Sequence, residues 1–207
     1  MQQSNLPDDL LALVSRETIA KLEVYVSLLI QWNKRINLIS HKDAEQIWSR
    51  HIQDSLQLTN LISSARSIID LGSGGGFPGL VLAIVTDIPT TLVESDTRKA
   101  IFLREVIRQT QCNCKVLSQR IETIDVPAAD IITARALAPL NKLLSFSAPL
   151  LQASGSCLFL KGRQVDQEIM DAEKIWHFQY RRFPSQTHSE GVILKVSHIQ
   201  PISELDG

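Results

Sequence analysis

The sequence predicts an α/β fold: a mostly parallel, seven-stranded sheet with helices on both faces, preceded by a helical extension over residues 1–64. Three observations predict it. Before Ser63-Ser64-Ala65, apolar residues recur at helical spacing. After it, short apolar runs alternate with helical stretches. The first of those runs ends in a glycine-rich turn that opens a helix. Strands alternating with helices of this length give a largely parallel sheet covered on both faces.

Within the extension, Ile19, Leu22, Val26, Leu29 and Ile36 fall on one helix face. Trp48, Ile52, Ser55, Thr59 and Ile62 form a second helical stripe, with Asp43 placed to cap it. The main domain, residues 65–207, begins with a buried strand at residues 67–71. A helix from Pro78 to Val85 follows, with Pro78 at the first position, where a missing N–H costs nothing. Residues 90–94 read as the second strand, 97–109 as an amphipathic helix and 114–117 as the third strand. The fourth strand spans residues 130–133, a helix runs from Pro139 to Leu151, and the fifth strand spans 156–160. A polar helix, 164–174, precedes two late strands at 178–183 and 192–198. With no helix between them, these two form an antiparallel hairpin at the sheet edge.

A chain of 207 residues, 44% of them apolar, buries enough surface to fold without staples. Its three cysteines, Cys112, Cys114 and Cys157, have no C-x-x-C spacing, so neither a disulfide framework nor a zinc site is expected. A reduced, cytoplasmic setting follows. The first residues are polar and acidic, unlike a signal peptide, and no apolar run reaches the length of a membrane span. The net charge of −1 provides no global attraction to nucleic acid, so any RNA contact must come from a local basic patch.

The most informative residues are Asp70-Leu71-Gly72-Ser73-Gly74-Gly75-Gly76-Phe77-Pro78-Gly79, between a strand and a helix. Glycines let backbone approach a ligand closely, and the helix start presents free N–H groups. Gly74, Gly76 and Gly79 satisfy the dinucleotide pattern G-x-G-x-x-G, which leaves a NAD(P)-dependent oxidoreductase as the alternative. Asp70 argues against it, because a carboxylate at the strand end repels a pyrophosphate. A sulfonium donor carries no phosphate, and its two cationic groups welcome the acid. Glu94 ends the second strand, 22 positions after Gly72, where an acid accepts from ribose hydroxyls. Both features favour S-adenosyl-L-methionine.

Other constellations border the same crevice. Gln119-Arg120-Ile121-Glu122 follows the third strand, so Ile121 and Glu122 are either adenine-side residues or an ordinary loop. Arg135 closes the fourth strand, and Lys161-Gly162-Arg163 closes the fifth. Carboxyl ends of parallel strands border the ligand, so these cations make a basic edge for phosphate, or else surface ion pairs and a solvated turn. His51, Asp54 and Ser55 share one helix face without a nucleophile elbow, so no hydrolase is read from them. They contact the crevice, or Asp54 simply pairs with Arg50. The segment from Trp32 to Leu38 suits RNA contact and a packed helix end equally.

The set Trp32-Asn33…Asn37-Leu38, Arg50-His51-x-x-Asp54-Ser55-Leu56, Asp70-x-Gly72-Ser73-Gly74-x-Gly76-Phe77-Pro78-Gly79, Arg120-x-Glu122, Arg135-Ala136 and Lys161-Gly162 resembles the bacterial RsmG (GidB) family. The resemblance implies a Rossmann-like class I methyltransferase fold, S-adenosyl-L-methionine as cofactor, and methylation of guanine N7 in 16S ribosomal RNA of the small ribosomal subunit. It implies cofactor contacts from Gly72, Phe77, Ile121, Glu122 and Arg135, with Glu94 at the family's acidic position; Asp70 and Gly74 join them from the reading of the bend itself. Arg135 and Lys161 are the expected catalytic positions, orienting guanine or phosphate, and His51, Asp54, Lys161 and Arg163 the expected substrate-side residues. A monomeric, metal-free enzyme is expected.

Overall fold

A computed structural model describes residues 14–40 and 46–202. The expected cap Asp43 lies outside them. Helix α1 (Arg16–Asn33) is capped by Ser15, whose side chain accepts from the Thr18 amide at 3.1 Å. Its buried stripe keeps Leu22, Val26 and Leu29 of the predicted face and adds Tyr25, while Ile19 is only partly buried and Ile36 lies past the helix end. The next helical segment differs from expectation. Trp48–Gln53 is π-helical and continues into the single α-turn Asp54–Leu56; together they are α2. Such wide turns are rare and cluster at functional sites.

The sheet has the order β3-β2-β1-β4-β5-β7-β6. Its strands are β1 (Ile68–Leu71), β2 (Thr90–Val93), β3 (Cys114–Leu117), β4 (Ala129–Arg135), β5 (Leu151–Lys161), β6 (Trp176–Pro184) and β7 (Val192–Pro201). Strands β1 to β5 pair in parallel, while β7 inserts antiparallel between β5 and β6. The sheet is therefore mixed, with the late hairpin at its edge. The helices between are α3 (Gly79–Thr86), α4 (Thr97–Thr110), α5 (Leu140–Ser147) and α6 (Val165–Ala172). Pro78 caps α3 from outside instead of occupying its first turn. The helix expected to reach Leu151 stops at Ser147, a 3₁₀ turn covers Ala148–Leu150, and β5 starts five residues early, pairing Leu151 with Ala129 across a register shift.

One apolar cluster joins the extension to the main domain. Leu22, Tyr25, Leu29 and Ile52 pack with Phe77, Leu80, Phe102 and Val106, all buried. The extension therefore seats directly over α3 and α4, and α2 is pressed against the carboxyl end of the sheet. No described helix is long and apolar enough to cross a membrane, and no group of three or more potential metal ligands occurs among the described residues.

Candidate active site

The parallel strands end at one edge of the sheet, where the turn after β1 folds into a tight bend. Ser73 N–H donates to the Val93 carbonyl (3.0 Å), and Ser73 Oγ donates back to the Asp70 carbonyl (3.1 Å). Gly76 has φ of 100°, and a Cβ there would sit 2.8 Å from Tyr25 Oη. That hydroxyl donates to the Gly75 carbonyl at 2.5 Å, so α1 clamps the bend from behind. Gly74, at φ of 53°, faces open space: the nearest atom to a Cβ would be the Gly72 carbonyl oxygen, 3.8 Å away.

Glu94 takes part in the bend as well as facing the crevice. Its Oε2 accepts from Gly74 N–H and its Oε1 from Asp96 N–H, both at 2.8 Å. Gly72, Gly74, Glu94, Ile121, Glu122, Leu137 and Phe146 line a cavity of about 380 Å³, together with Lys99 and Lys142. Its size falls within the range of small-molecule sites, and its lining is mostly polar, with Val93, Ile121, Leu137 and Phe146 as the larger apolar contacts.

Asp70 and Phe77 stand differently from expectation. Neither lines this cavity. Asp70 is fully buried, with its Cβ and Cγ under the Gly79 backbone, and its Oδ1 accepts from Thr133 Oγ1 at 2.6 Å. Burial pushes its carboxyl up to about 6, against the opposing donation from the Thr133 hydroxyl. Phe77 is a platform in the core: Tyr25 lies at one side, His51 stacks on it at 4.8 Å, and the Arg135 guanidinium sits 4.9 Å from its centroid. An apolar ring packed on three sides is held away from the cofactor-side cavity.

A second cavity, of about 420 Å³, opens on the other side of Ala136 and gathers Arg50, His51, Asp54, Arg135, Lys161, Ser185 and Thr187. Arg135 belongs to this cavity and not to the glycine cavity where cofactor contact was expected. Its Nη1 lies 2.8 Å from His51 Nδ1, 3.4 Å from the Arg50 carbonyl and 3.7 Å from Asp54 Oδ2. Asp54 Oδ1 also accepts from Thr187 Oγ1 and Gln57 Nε2, each at 2.7 Å. Ser55 donates to the His51 carbonyl (2.7 Å), so the Ser-His-Asp set on α2 is a structural arrangement and not a nucleophile triad. Ala136 has φ of 51° and lines both cavities.

Two expected phosphate binders are occupied by internal partners. Lys161 Nζ lies 2.6 Å from Glu168 Oε2 and 2.8 Å from the Ala138 carbonyl, with its side chain 8% exposed. The same Glu168 oxygen accepts from Leu140 N–H at 2.8 Å. Lys161 lines the second cavity with its ammonium ion-paired to Glu168, and it fixes the segment from Ala136 to Ala138, whose first residue lines both cavities. Arg163 is exposed and paired with Glu190. The Trp32-to-Leu38 segment is a packed helix end, since Asn33 Oδ1 accepts from the Leu38 and Ile39 amides and Trp32 lies 5.8 Å from Phe102.

Sequence reasoning missed Tyr25, Gln57, Lys142, Glu168 and the Ser185–Thr187 loop. Only Tyr25 carried a local signal, being three residues after Leu22 on the buried stripe. Glu168 and the Ser185–Thr187 loop reach the site from other elements of the fold, and Gln57 bridges Asp54 to that loop.

With this geometry in hand, the chain was compared with known proteins. Residues 18–193 match the family model described as rRNA small subunit methyltransferase G, GidB. A protein of Gluconobacter oxydans named ribosomal RNA small subunit methyltransferase G is 52% identical over 91% of this chain and 98% of its own. Another so named, from Granulibacter bethesdensis, is 49% identical over 91% of this chain and 89% of its own. Among solved structures, an O-methyltransferase from Bacillus cereus in complex with SAH superposes with TM-score 0.57 at 17% identity, covering 91% and 94% of the two chains. That likeness establishes a class I methyltransferase fold and nothing finer. Two adjoining cavities at the carboxyl edge of such a sheet, with these relatives over nearly the whole chain, have one reading: the chain belongs to the GidB family of rRNA small subunit methyltransferases.

Proposed function

We propose that the chain transfers a methyl group from S-adenosyl-L-methionine to N7 of a guanine in 16S ribosomal RNA, acting as a cytoplasmic monomer on the small ribosomal subunit. The observation that carries this reading is the pair of cavities meeting at Ala136, one walled by glycines with Glu94 and Glu122 among its polar groups, the other holding a fixed guanidinium.

The first cavity fits the donor. Gly74 leaves room for close approach, Glu94 retains lone pairs for ribose hydroxyls, and Ile121, Leu137 and Phe146 offer apolar contact to an adenine. Bound there, the donor supplies an electrophilic methyl on a cationic sulfur. Guanine N7 has a free lone pair at neutral pH, so no side chain has to remove a proton first. Catalysis is then mainly positioning, with the reacting atoms about 3–3.5 Å apart.

The base leaves its stack to enter the second cavity. Arg135 is held by His51, Asp54 and the Phe77 face, so its donors are preorganised for guanine O6 or a flanking phosphate. As the methylated base gains positive charge, the Asp54 carboxylate on the same wall offsets it. The test is incubation with labelled cofactor and ribosomal RNA from a strain lacking the gene. Label must enter small-subunit RNA at a guanine. Arg135→Ala should raise the RNA KM and leave S-adenosylhomocysteine affinity unchanged. An equal loss of cofactor affinity by calorimetry would move Arg135 to the donor.

A further inference from the structure

We propose that the face of the β6–β7 hairpin carrying Arg181 and Lys195 is a phosphate-binding groove for the RNA strand that enters the second cavity; this rests on the RNA reading above. Arg181 is directly opposite Lys195 in the hairpin register, with Phe183 opposite Ile193 and Gln179 opposite Ser197. Residues at this spacing project to one face of the sheet. Like charges placed directly opposite each other destabilise a strand pair. Among the described residues neither cation forms a salt bridge, whereas Lys161, Arg163 and Arg182 each meet a carboxylate. Among the described residues the fold therefore holds two opposed positive charges with no carboxylate in ion-pair range.

The space in front of them has the chemistry of a phosphate site. A cavity of about 550 Å³ has Asn60, Ser63 and Ser64 on one wall and Gln179, Arg181 and Lys195 on the other, with no carboxylate among its lining residues. Amides and hydroxyls beside two cations are the donors that contact nucleic-acid backbone. The groove is also in the right place. Phe183 lines it, and its cross-strand partner Ile193 lines the second cavity, so the two spaces abut across one residue pair. Lys195 lies two residues beyond Ile193, about 7 Å along the strand. A chain of net charge −1 draws RNA only through such local sites.

The test uses the full chain with Arg181→Gln, Lys195→Gln and their double variant, and labelled 16S RNA as probe. RNA affinity is measured across a salt series, S-adenosylhomocysteine affinity by calorimetry, and Tm by scanning. Each single variant should bind RNA about fivefold more weakly, the upper range for a solvent-exposed ion pair. Each should flatten the log–log salt slope by about 0.7–0.9. Tm should not fall, because removing one of two opposed like charges relieves repulsion. Cofactor affinity should be unchanged, and Lys195→Arg should keep the salt slope. Unchanged RNA affinity and slope in the double variant would overturn the groove. So would weakened binding to assembled subunits with naked RNA unaffected, which points to a protein partner. A wild-type chain that binds RNA with this salt dependence but transfers no methyl leaves the groove standing and overturns the methylation reading alone.

Discussion

Gly74 and Gly79 are both glycines of the same bend, yet the structure separates their roles, and alanine at each should fail in a different way. At Gly74 a Cβ meets nothing closer than 3.8 Å, so the only fold cost is the φ of 53°. Placing an L side chain in the left-handed region costs roughly 1–2 kcal/mol, which lowers Tm by about 2–8 °C in a chain of this size. The new methyl enters the space where the donor approaches the backbone, so S-adenosylhomocysteine should bind at least about tenfold more weakly, 1.4 kcal/mol. At Gly79 the backbone is helical and alanine gains up to about 1 kcal/mol of propensity. Its Cβ, however, would sit 2.4 Å from Asp70 Cβ and 2.6 Å from Cγ, inside a fully buried contact. Overpacking of that kind costs about 3 kcal/mol, so the net Tm loss is on the order of 4–8 °C and comes from packing, not ligand approach. Scanning calorimetry and titration of S-adenosylhomocysteine separate the two. A Gly74→Ala protein that binds the ligand like wild type would refute the assignment of the open face of Gly74 to the donor.

Asp70 makes stability depend on pH. Its carboxyl is raised from 3.8 to about 6, so the folded state holds a proton that the unfolded state has released; stability falls as pH rises through about 4 to 6 and is flat above. About two units correspond to roughly 3 kcal/mol, and urea unfolding of wild type against Asp70→Asn at pH 4 and 7.5 should show the difference between them shift by that order; a constant difference contradicts it. Tyr25→Phe leaves the Gly75 carbonyl without its donor and should cost about 1–3 kcal/mol, read as a Tm loss accompanied by weaker S-adenosylhomocysteine binding. Lys161→Met and Glu168→Gln each break a largely buried pair and should cost about 3 kcal/mol. Their double-mutant cycle should give a coupling above about 1 kcal/mol, while the salt slope of RNA binding for Glu168→Gln stays that of wild type.

The alternating strand and helix pattern was legible because each element buries apolar residues at its own period, and the glycine bend because backbone approach leaves few residue choices. Glu94 could be placed at the crevice by its strand end, since topology fixes that edge, whereas Ile121 and Glu122 needed the family resemblance to decide between crevice and ordinary loop. The ion pair of Lys161 was not legible for a definite reason: the carboxylate that meets it lies on α6, seven residues on, in a stretch read only as a polar helix. Phe77 and Asp70 stand outside the lining of the glycine cavity for a similar reason. The sequence shows them beside the glycines but not that α1 and Thr133 enclose them from behind. The π-helical turn of α2 is invisible to periodicity, because its residues fit an α-helical stripe equally well. The early start of β5 depends on its pairing with β4, which no local pattern encodes.

The cations that stand out in the sequence are those the fold neutralises, and this bears on how a chain of net charge −1 handles RNA. Arg135, Lys161 and Arg163 attract attention because they close strands at the crevice, yet each meets a carboxylate. A cation tied to an acid loses most of its long-range pull and gains a fixed direction, which suits Arg135 to orienting one base and Lys161 to holding a wall. Capture of a polyanion requires the opposite: charges without internal partners, spread along the strand's route. Among the described residues Arg181 and Lys195 meet that requirement, on a hairpin whose alternation looks like ordinary edge-strand polarity. Orientation and capture therefore fall to different sets of cations. Substitutions in the second set should raise the RNA KM and flatten the salt slope, whereas Arg135→Ala should raise the RNA KM with a smaller change of slope, because its charge already meets Asp54.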